Sequence, residues 1–233
     1  MKTIGLLGGM SWESSLVYYQ IVNQKVKEIL GGHHSCECVM YSVDFDPIKK
    51  LQHENNWEKL TQIMIQAAQK IEKGGAEMLT ICTNTMHKMY DDVQTNISIP
   101  VLHIADATAE AIKARNINKI ALLGTRFTME HDFYKGRLTE KHGIEVLTPA
   151  GNDLESVHNI IYNELVLGEI KTESREIYKR IIEDLAKKGA QGVILGCTEI
   201  PLLIKQTDVS IPVFDTTTIH AEKTVEFALE KHQ

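Results

Sequence analysis

A cysteine and a threonine occupy matching positions in two similar stretches of this chain. Gly75 and Gly189 each lie in a glycine turn, and the offset that aligns them places Thr83 opposite Cys197. A thiol and a hydroxyl that face each other can handle a proton on opposite faces of one carbon atom. The matched pair therefore indicates proton transfer at a carbon centre.

The surroundings of Cys197 favour a reactive thiol. Gly196 allows a tight turn from strand to loop, and Thr198 and Glu199 supply polar neighbours. A helix that begins just after the cysteine would lower the thiol pKa from about 8.5 toward neutrality. Cys197 is therefore predicted to act as a general base.

The first copy places Thr83, Asn84 and Thr85 where a strand gives way to a loop. Side chains alternate along a strand, so Cys82 and Thr83 are expected to point in opposite directions. The repeat assigns Thr83 to the site, and Cys82 is then expected to pack into the core.

A glycine-rich loop follows the first strand, with Gly8 and Gly9 before Met10 and Ser11. Glycines permit close approach of the backbone, and the N–H groups at a helix start attract anions. The spacing differs from the dinucleotide pattern Gly-x-Gly-x-x-Gly, so a carboxylate fits better than a pyrophosphate. The corresponding loop at 124–128 offers the hydroxyls of Thr125 and Thr128.

The repeat extends along the chain and predicts an α/β fold. Segment 4–8 resembles 120–124, and segment 99–101 resembles 211–213. Alternating strands and helices predict two pseudo-symmetric lobes, each a parallel sheet flanked by helices, with the active site in the cleft between them. The expected lobes are residues 1–102 plus 212–233, and residues 103–211.

The composition argues for a small-molecule ligand. Lys and Arg total 25 against 31 Asp and Glu, without a basic block, so nucleic acid is not an expected partner. No apolar run approaches the roughly 20 residues that span a bilayer, so no membrane association is expected. The expected location is the cytoplasm, with the four cysteines reduced.

Metal binding is not predicted. The His-His-x-Cys-x-Cys spacing at 33–38 lacks the separated ligand pairs of a structural zinc site. His87, His103, His131 and His220 are dispersed along the sequence, and each is expected to be a packed or surface residue.

Four segments together resemble the aspartate/glutamate racemase family. They are Gly-Gly-Met-Ser at 8–11, Asn-Thr-Met-His at 84–87, Gly-Cys-Thr-Glu at 196–199 and Ile-Pro-Val-Phe-Asp at 211–215. The resemblance covers nearly the whole chain. It implies an amino-acid racemase that needs no cofactor, pyridoxal phosphate included, and that forms a homodimer.

One position departs from most of that family, which has a cysteine where this chain has Thr83. A Thr and Cys pair resembles the subgroup of L-aspartate/glutamate-specific racemases, in which the residue at Gln52 contacts substrate. The resemblance implies that Cys197 removes the α-proton of an L-amino acid. Thr83, or a water that it orders, would supply a proton to the opposite face.

The resemblance also assigns the substrate-binding groups. The residues expected to hold the carboxylates and ammonium of an amino acid are Met10 and Ser11 through their backbone N–H groups, together with Gln52, Asn84, Thr85, Thr125, Thr128, Thr198 and Glu199.

A threonine hydroxyl is a far weaker acid than a thiol, so the initial rate from L to D is expected to exceed that from D to L. Two alternatives stay open. One is another cysteine-dependent isomerase or decarboxylase of the same superfamily, such as a maleate isomerase or a hydantoin racemase. The other is a binding protein for amino acids that lacks catalysis, because one of the paired cysteines is missing.

Overall fold

A computed structural model describes residues 1–230, which divide into two compact units. The first unit comprises Met1–His103 and the described part of the segment that begins at His220. The second unit is Ile104–Ile219.

The first unit begins with a strand, a glycine turn and a long helix. Its elements are β1 Ile4–Gly8, α1 Trp12–Leu30, β2 Cys38–Ser42, α2 Phe45–His53, α3 Trp57–Lys73, β3 Met78–Ile81, a 3-10 helix Thr85–Met89, α4 Tyr90–Thr95 and β4 Val101–Leu102.

The second unit repeats this alternation with additional short helices. Its elements are α5 Ile104–Lys113, β5 Lys119–Gly124, α6 Arg126–Glu130, α7 Asp132–Gly136, a π-helix Arg137–Lys141, β6 Glu145–Leu147, α8 Asn152–Asn163, a 3-10 helix Leu165–Leu167, α9 Thr172–Lys187, β7 Val193–Gly196, α10 Ile200–Leu203, a 3-10 helix Gln206–Asp208 and β8 Val213–Asp215. Helix α11, Thr216–Leu229, begins in this unit and continues into the first unit at His220.

Each unit of the described chain is built on a four-stranded parallel sheet, and the two strand orders correspond. The first sheet runs β2-β1-β3-β4 and the second runs β6-β5-β7-β8. The strand order therefore reverses between β1 and β3 in one sheet, and between β5 and β7 in the other. The predicted α/β class, with a parallel sheet in each half, is confirmed.

Both faces of each sheet are covered by apolar side chains, as a parallel sheet requires. In the first unit, Leu7 and Ile81 join a core cluster with α2 and α3, whereas Leu6 and Cys82 join a cluster with α1 and α11. Cys82 is fully buried. Its predicted place in the core is confirmed.

The core of the second unit has the same two-sided arrangement. Leu123 and Leu195 pack with α8 and α9, and Leu122 and Ile194 pack with α5. Burial of one such aliphatic side chain contributes about 1.5–3 kcal/mol.

Among the residues described, no helix combines the length and apolar character needed to cross a membrane.

The chain returns to the first unit later than the expected position 212. Strand β8 pairs with β7, with Phe214 beside Ile194, and so belongs to the second sheet. Helix α11 then runs through Ile219 and His220, where the first unit resumes.

Local side-chain chemistry sets two element boundaries near the site. Strand β2 ends at Ser42, because the side chain of Asp44 accepts a hydrogen bond from the Asp46 N–H and caps α2. Helices α6 and α7 are separated at His131, whose backbone is extended.

Asp106 joins α5 to the π-helix of the second unit. Its carboxylate accepts two hydrogen bonds from Arg137, both at 2.8 Å, and one each from Lys141 and His142 at 2.7 Å. Burial alone would raise the pKa of Asp106, but the bonds from Arg137, His142 and Lys141 outweigh it and hold the pKa well below its ordinary range. The ionised carboxylate therefore stabilises the folded state.

We expect Asp106→Asn to lower the free energy of unfolding at neutral pH by about 1–3 kcal/mol. A lowered pKa in the folded state gives stability that is present above the unfolded pKa of about 4 and is lost as the pH falls below it. The difference between variant and parent should therefore shrink below about pH 4 in urea titrations. The matched control is Asp46→Asn, whose ion pair with Lys50 is exposed, and no measurable change is expected there. A stability difference for Asp106→Asn that does not change with pH would contradict this account.

Candidate active site

The first group of candidate residues lies at the carboxyl edge of the first sheet, where the strand order reverses. Leu7 on β1 pairs with Ile81 on β3, so the loop after Gly8 lies beside the turn that carries Thr83. Gly9 has a φ of +92°, and a Cβ atom there would clash with the Val43 backbone. Ligands of open parallel sheets bind at such a reversal of strand order.

The turn that carries Thr83 is held by backbone hydrogen bonds. The Thr83 N–H donates to the Ile81 carbonyl at 2.9 Å, and the Thr83 carbonyl accepts a hydrogen bond from Nδ1 of His87 at 2.8 Å. Thr83 itself is half-buried, while Asn84 and Thr85 are buried. The turn thus gathers three polar side chains at the end of β3.

Other predicted residues of the first unit are placed by packing. Gln52, near the end of α2, is buried, and its amide donates to the sulfur of Met86 at 3.3 Å. The Met10 side chain belongs to the apolar core, so only the backbone of this residue is suited to hold a ligand. Gln52 therefore lies against the 3-10 helix that follows Thr83.

The second group lies at the carboxyl edge of the second sheet, again where the strand order reverses. Gly124, the last residue of β5, pairs with Gly196, the last residue of β7. A Cβ atom on Gly124 would lie 2.9 Å from the Gly196 carbonyl oxygen, so a larger residue would force the strands apart. Thr125 and Cys197 follow these two glycines directly.

The strand register supports the alignment of Thr83 with Cys197. If the register of β1 and β3 is extended by one residue, Cys82 falls beside Gly8, just as Gly196 lies beside Gly124. Thr83 follows Cys82, and Cys197 follows Gly196, so the two residues occupy corresponding positions just after these strands.

Helices α1 and α6, which follow β1 and β5, begin with the same kind of cap. In the first unit, the Ser11 Oγ accepts the Ser14 N–H at 3.4 Å and lies 3.2 Å from the Ser14 Oγ. In the second unit, the Thr125 Oγ1 accepts the Thr128 N–H at 3.3 Å and lies 3.2 Å from the Thr128 Oγ1. The predicted hydroxyls are thus helix caps, a role in which they orient backbone N–H groups.

Sequence reasoning did not identify Ser15, which supports the glycine loop. Its Oγ accepts the Gly9 N–H at 2.7 Å and donates to the Ser11 carbonyl at 3.0 Å. The small hydroxyl fits here because Ser15 faces Gly8 from the first turn of α1.

Cys197 and Thr198 both donate to one carboxylate oxygen of Glu199. The distances to Oε2 are 2.9 Å from the Cys197 Sγ and 2.7 Å from the Thr198 Oγ1. Glu199 is buried and Cys197 is half-buried. Cys197 in this arrangement is a protonated thiol that donates to a carboxylate.

The pKa of Cys197 is raised well above its usual value, chiefly by burial and then by the negative charge of Glu199 and the hydrogen bond to it. The backbone N–H groups of Glu199 and Thr198 oppose this shift without overcoming it. Helix α10 begins only at Ile200 and spans Ile200–Leu203, so its dipole is small. The predicted pKa near neutrality is therefore wrong for the site without a ligand.

Two tyrosines, Tyr178 buried and Tyr162 half-buried, also lie near this thiol, and the sequence carried no signal for them. Burial raises the pKa of both Tyr162 and Tyr178, and a thiolate at Cys197 would raise each further. The Tyr178 hydroxyl donates to the Val157 carbonyl at 3.1 Å. Both phenols therefore stay protonated beside Cys197.

Three of the four dispersed histidines meet within the first unit. The ring centroid of His87 lies 4.7 Å from that of His103 and 5.5 Å from that of His220. All three side chains are buried. Among residues 1–230, no group of His, Cys, Asp and Glu side chains is arranged to hold a metal ion.

The predicted residues thus divide between the two units. The first unit holds Met10, Ser11, Gln52, Thr83, Asn84 and Thr85, and the second holds Thr125, Thr128, Cys197, Thr198 and Glu199.

Comparison with known proteins identifies the class. The family model described as Asp/Glu/Hydantoin racemase matches residues 7–224, and the chain belongs to this family. Members named as racemases are isomerases, and their substrates are small molecules.

Particular relatives match this chain along nearly the whole length of both proteins. A crystal structure described as a candidate Asp/Glu racemase of Yersinia pestis is 54% identical and covers 99% of this chain and 100% of its own, with a TM-score of 0.93. An aspartate racemase homologue from Pyrococcus horikoshii OT3 is 41% identical over 99% and 100% of the two chains, with a TM-score of 0.85. The broad specificity amino-acid racemase RacX of Bacillus subtilis (strain 168) is 23% identical over 95% of this chain and 96% of its own.

The electrostatics of Cys197 lead to a direct test by alkylation. Glu199→Gln removes the charge that raises the thiol pKa, so Cys197 should react faster with iodoacetamide at any pH below its pKa. The rate at each cysteine can be followed by mass spectrometry of peptides between about pH 6 and pH 10.

Cys38 provides an internal reference in the same protein. The neighbouring Cys36 thiol lowers the pKa of Cys38, and Cys38 is half-buried. It should therefore be alkylated before Cys197 in the parent protein and should not respond to Glu199→Gln. An unchanged pH profile at Cys197 in that variant would show that Glu199 does not control its pKa.

Proposed function

We propose that this protein is a racemase of L-aspartate, L-glutamate or both, with Cys197 and Thr83 acting on opposite faces of one α-carbon. The observation that carries the proposal is that both residues follow the same strand position at the strand-order reversal of two corresponding sheets. The named activity of the relatives from Yersinia pestis and Pyrococcus horikoshii supports the choice of acidic amino acids.

In the proposed mechanism, Cys197 must first become a thiolate. The thiol already donates to Glu199, so its proton passes to the Glu199 carboxylate. The ammonium group of a bound amino acid favours this transfer, because a positive charge lowers the pKa of a neighbouring thiol. Substrate binding then generates the base that free protein holds in its protonated form.

The thiolate next removes the α-proton of the L-amino acid. The electron pair of the broken Cα–H bond stays on the α-carbon. Thr83, or a water that it orders, then donates a proton to the other face of that carbon. Solvent returns a proton to Thr83 and accepts the one held by Glu199, so the cycle is balanced. In this proposal no cofactor takes part, and fixed hydrogen-bond donors stabilise the carbanion.

The remaining site residues hold the substrate in this proposal. Asn84, Thr85 and Gln52 offer buried polar side chains in the first unit, and Ser11 and Thr125 orient backbone N–H groups at helix starts. Thr128, Thr198 and the Met10 backbone complete the set. Polar groups that are already positioned reduce the entropy lost when the substrate binds.

The unequal pair predicts unequal turnover numbers. Two enantiomers in water have an equilibrium constant of one, so kcat/KM must be equal in both directions. The difference therefore appears in kcat, which should be roughly tenfold larger from L to D than from D to L. Circular dichroism of L-aspartate and D-aspartate at saturating concentration measures both values, and equal kcat values would contradict the role of Thr83 as the weaker partner.

Substitutions at the two positions separate their roles. Cys197→Ser should lower racemisation about 10³-fold, and Thr83→Cys should bring the two kcat values toward each other because both faces then carry a thiol. Incorporation of deuterium at the α-carbon in heavy water reports the same chemistry. If the parent protein binds L-aspartate and L-glutamate without exchange, it is a binding protein, and exchange only with hydantoins would make it a hydantoin racemase.

We further propose that the enzyme works as a cytoplasmic homodimer. Helix α1 carries Trp12, Leu16 and Tyr19, which are 64%, 56% and 46% exposed, beside Met40 on β2. Exposed apolar side chains in one patch are typical of protein interfaces. This patch is the surface we assign to the second copy.

The assigned surface can be tested by light scattering after size-exclusion chromatography. Leu16→Lys should shift the protein toward monomer, because it places a charge in the apolar contact. Leu202→Lys is the matched control, since Leu202 is 47% exposed on the second unit and should leave the mass unchanged. A dimer that tolerates Leu16→Lys would place the interface elsewhere.

A further inference from the structure

Three buried imidazoles lie beneath the turn that carries Thr83. His87, His103 and His220 are each no more than 2% exposed, and the rings of His103 and His220 both contact that of His87. They come from the 3-10 helix after β3, the residue that follows β4, and α11. Burial of three ionisable rings together is costly unless hydrogen bonds and packing hold them in defined states.

His220 is held in one tautomer. Its Nε2 contacts the Leu102 carbonyl at 3.1 Å, and a carbonyl only accepts, so Nε2 carries the hydrogen. Its Nδ1, 2.9 Å from the Tyr18 hydroxyl, then accepts the phenolic hydrogen. Burial, followed by charge at His87, lowers the pKa of His220 to about 3, so this ring is neutral at physiological pH.

His103 supports His87 from another side. Its ring centroid lies 4.7 Å from that of His87 and 4.7 Å from that of Tyr90. The Tyr90 hydroxyl donates to the Val101 carbonyl at 3.3 Å, which anchors this aromatic stack to β4. The imidazole of His87 is therefore fixed by rings that are themselves fixed to the sheet.

One polar contact of His87 is with the candidate catalytic residue. Its Nδ1 lies 2.8 Å from the Thr83 carbonyl oxygen, which can only accept, so Nδ1–H donates. The Thr83 N–H donates to Ile81. Both backbone groups of Thr83 are thus engaged, and the peptide plane that leads from Thr83 to Asn84 is set by His87.

We propose that His87 is a positioning residue for Thr83, and that the buried histidine cluster exists to aim the Thr83 hydroxyl at the α-carbon. This inference rests on the proposed racemase function and adds a residue to it. Thr83 lies outside β3 and is half-buried, so the sheet alone does not hold it. A weak acid can deliver a proton only if it is well aligned, and a displacement of about 1 Å can cost roughly 10²-fold in rate.

Two reactions distinguish the supply of a proton by Thr83 from the removal of a proton by Cys197. Racemisation of L-aspartate needs both faces. With 3-chloro-L-aspartate, Cys197 takes the α-proton, the electron pair forms the Cα=Cβ bond, and chloride leaves. This elimination needs no proton from Thr83, so chloride release reports the Cys197 face alone. The ratio of the two rates, measured on one preparation, is independent of the fraction of protein that is folded.

The matched variants are His87→Leu and His87→Asn. The two side chains have nearly the same shape, but only asparagine offers an N–H donor near the position of Nδ1. We expect His87→Leu to lower racemisation at least about tenfold while chloride release changes less than about threefold. His87→Asn should restore most of the ratio. Thr83→Ala gives the lowest ratio of racemisation to chloride release, the value expected when Thr83 supplies no proton.

Tyr18→Phe is the control for a role in stability alone. It removes the hydroxyl that contacts His220 without touching Thr83, so it should lower the melting temperature and leave the ratio unchanged. If His87→Leu lowers both reactions equally, or if His87→Asn fails in the same way as His87→Leu, the positioning role is wrong. A parent protein that releases chloride but does not racemise aspartate would instead overturn the proposed function, and the inference with it.

Discussion

The parallel pairing of the first and third strands in each sheet is the constraint on which the rest of the molecule depends. It places a loop and a turn that carries a candidate catalytic residue side by side at the carboxyl edge, once through Leu7 and Ile81 and once through Gly124 and Gly196. Strands that pair in parallel need helical connections, and these helices supply the apolar layers on both faces. The same pairing thus determines the core and gathers the polar residues.

The protonation state of Cys197 illustrates how burial governs the reactivity of a thiol. A thiol between a carboxylate and two tyrosines stays protonated, since burial and Glu199 both raise its pKa. A resting site of this kind is protected from alkylation and oxidation, which require the thiolate. In the proposed cycle, the substrate's own ammonium group changes this balance, so the base forms only when there is a proton to remove. The mechanism therefore couples activation of the thiol to binding.

Several features of the fold and site could be read from the residues, each for a stated reason. The glycines and the matched strand ends predicted the two sheets and the corresponding positions of Thr83 and Cys197 in the repeat, because short apolar runs and turns are local signals. The end of the second unit could not be read this way. Phe214 lies in a short strand that could pair with either sheet, and only its contact with Ile194 assigns it.

The sequence by itself determined the α/β class, the duplication, the core position of Cys82 and the polar residues at the strand ends. Each of these follows from periodicity or from a repeated motif, which neighbouring residues specify. Only the tertiary structure decided the direction of the Cys197 pKa shift and the meeting of His87, His103 and His220 beneath Thr83. Both depend on burial and on contacts between residues far apart in the chain, and no local pattern encodes the dielectric surroundings of a side chain.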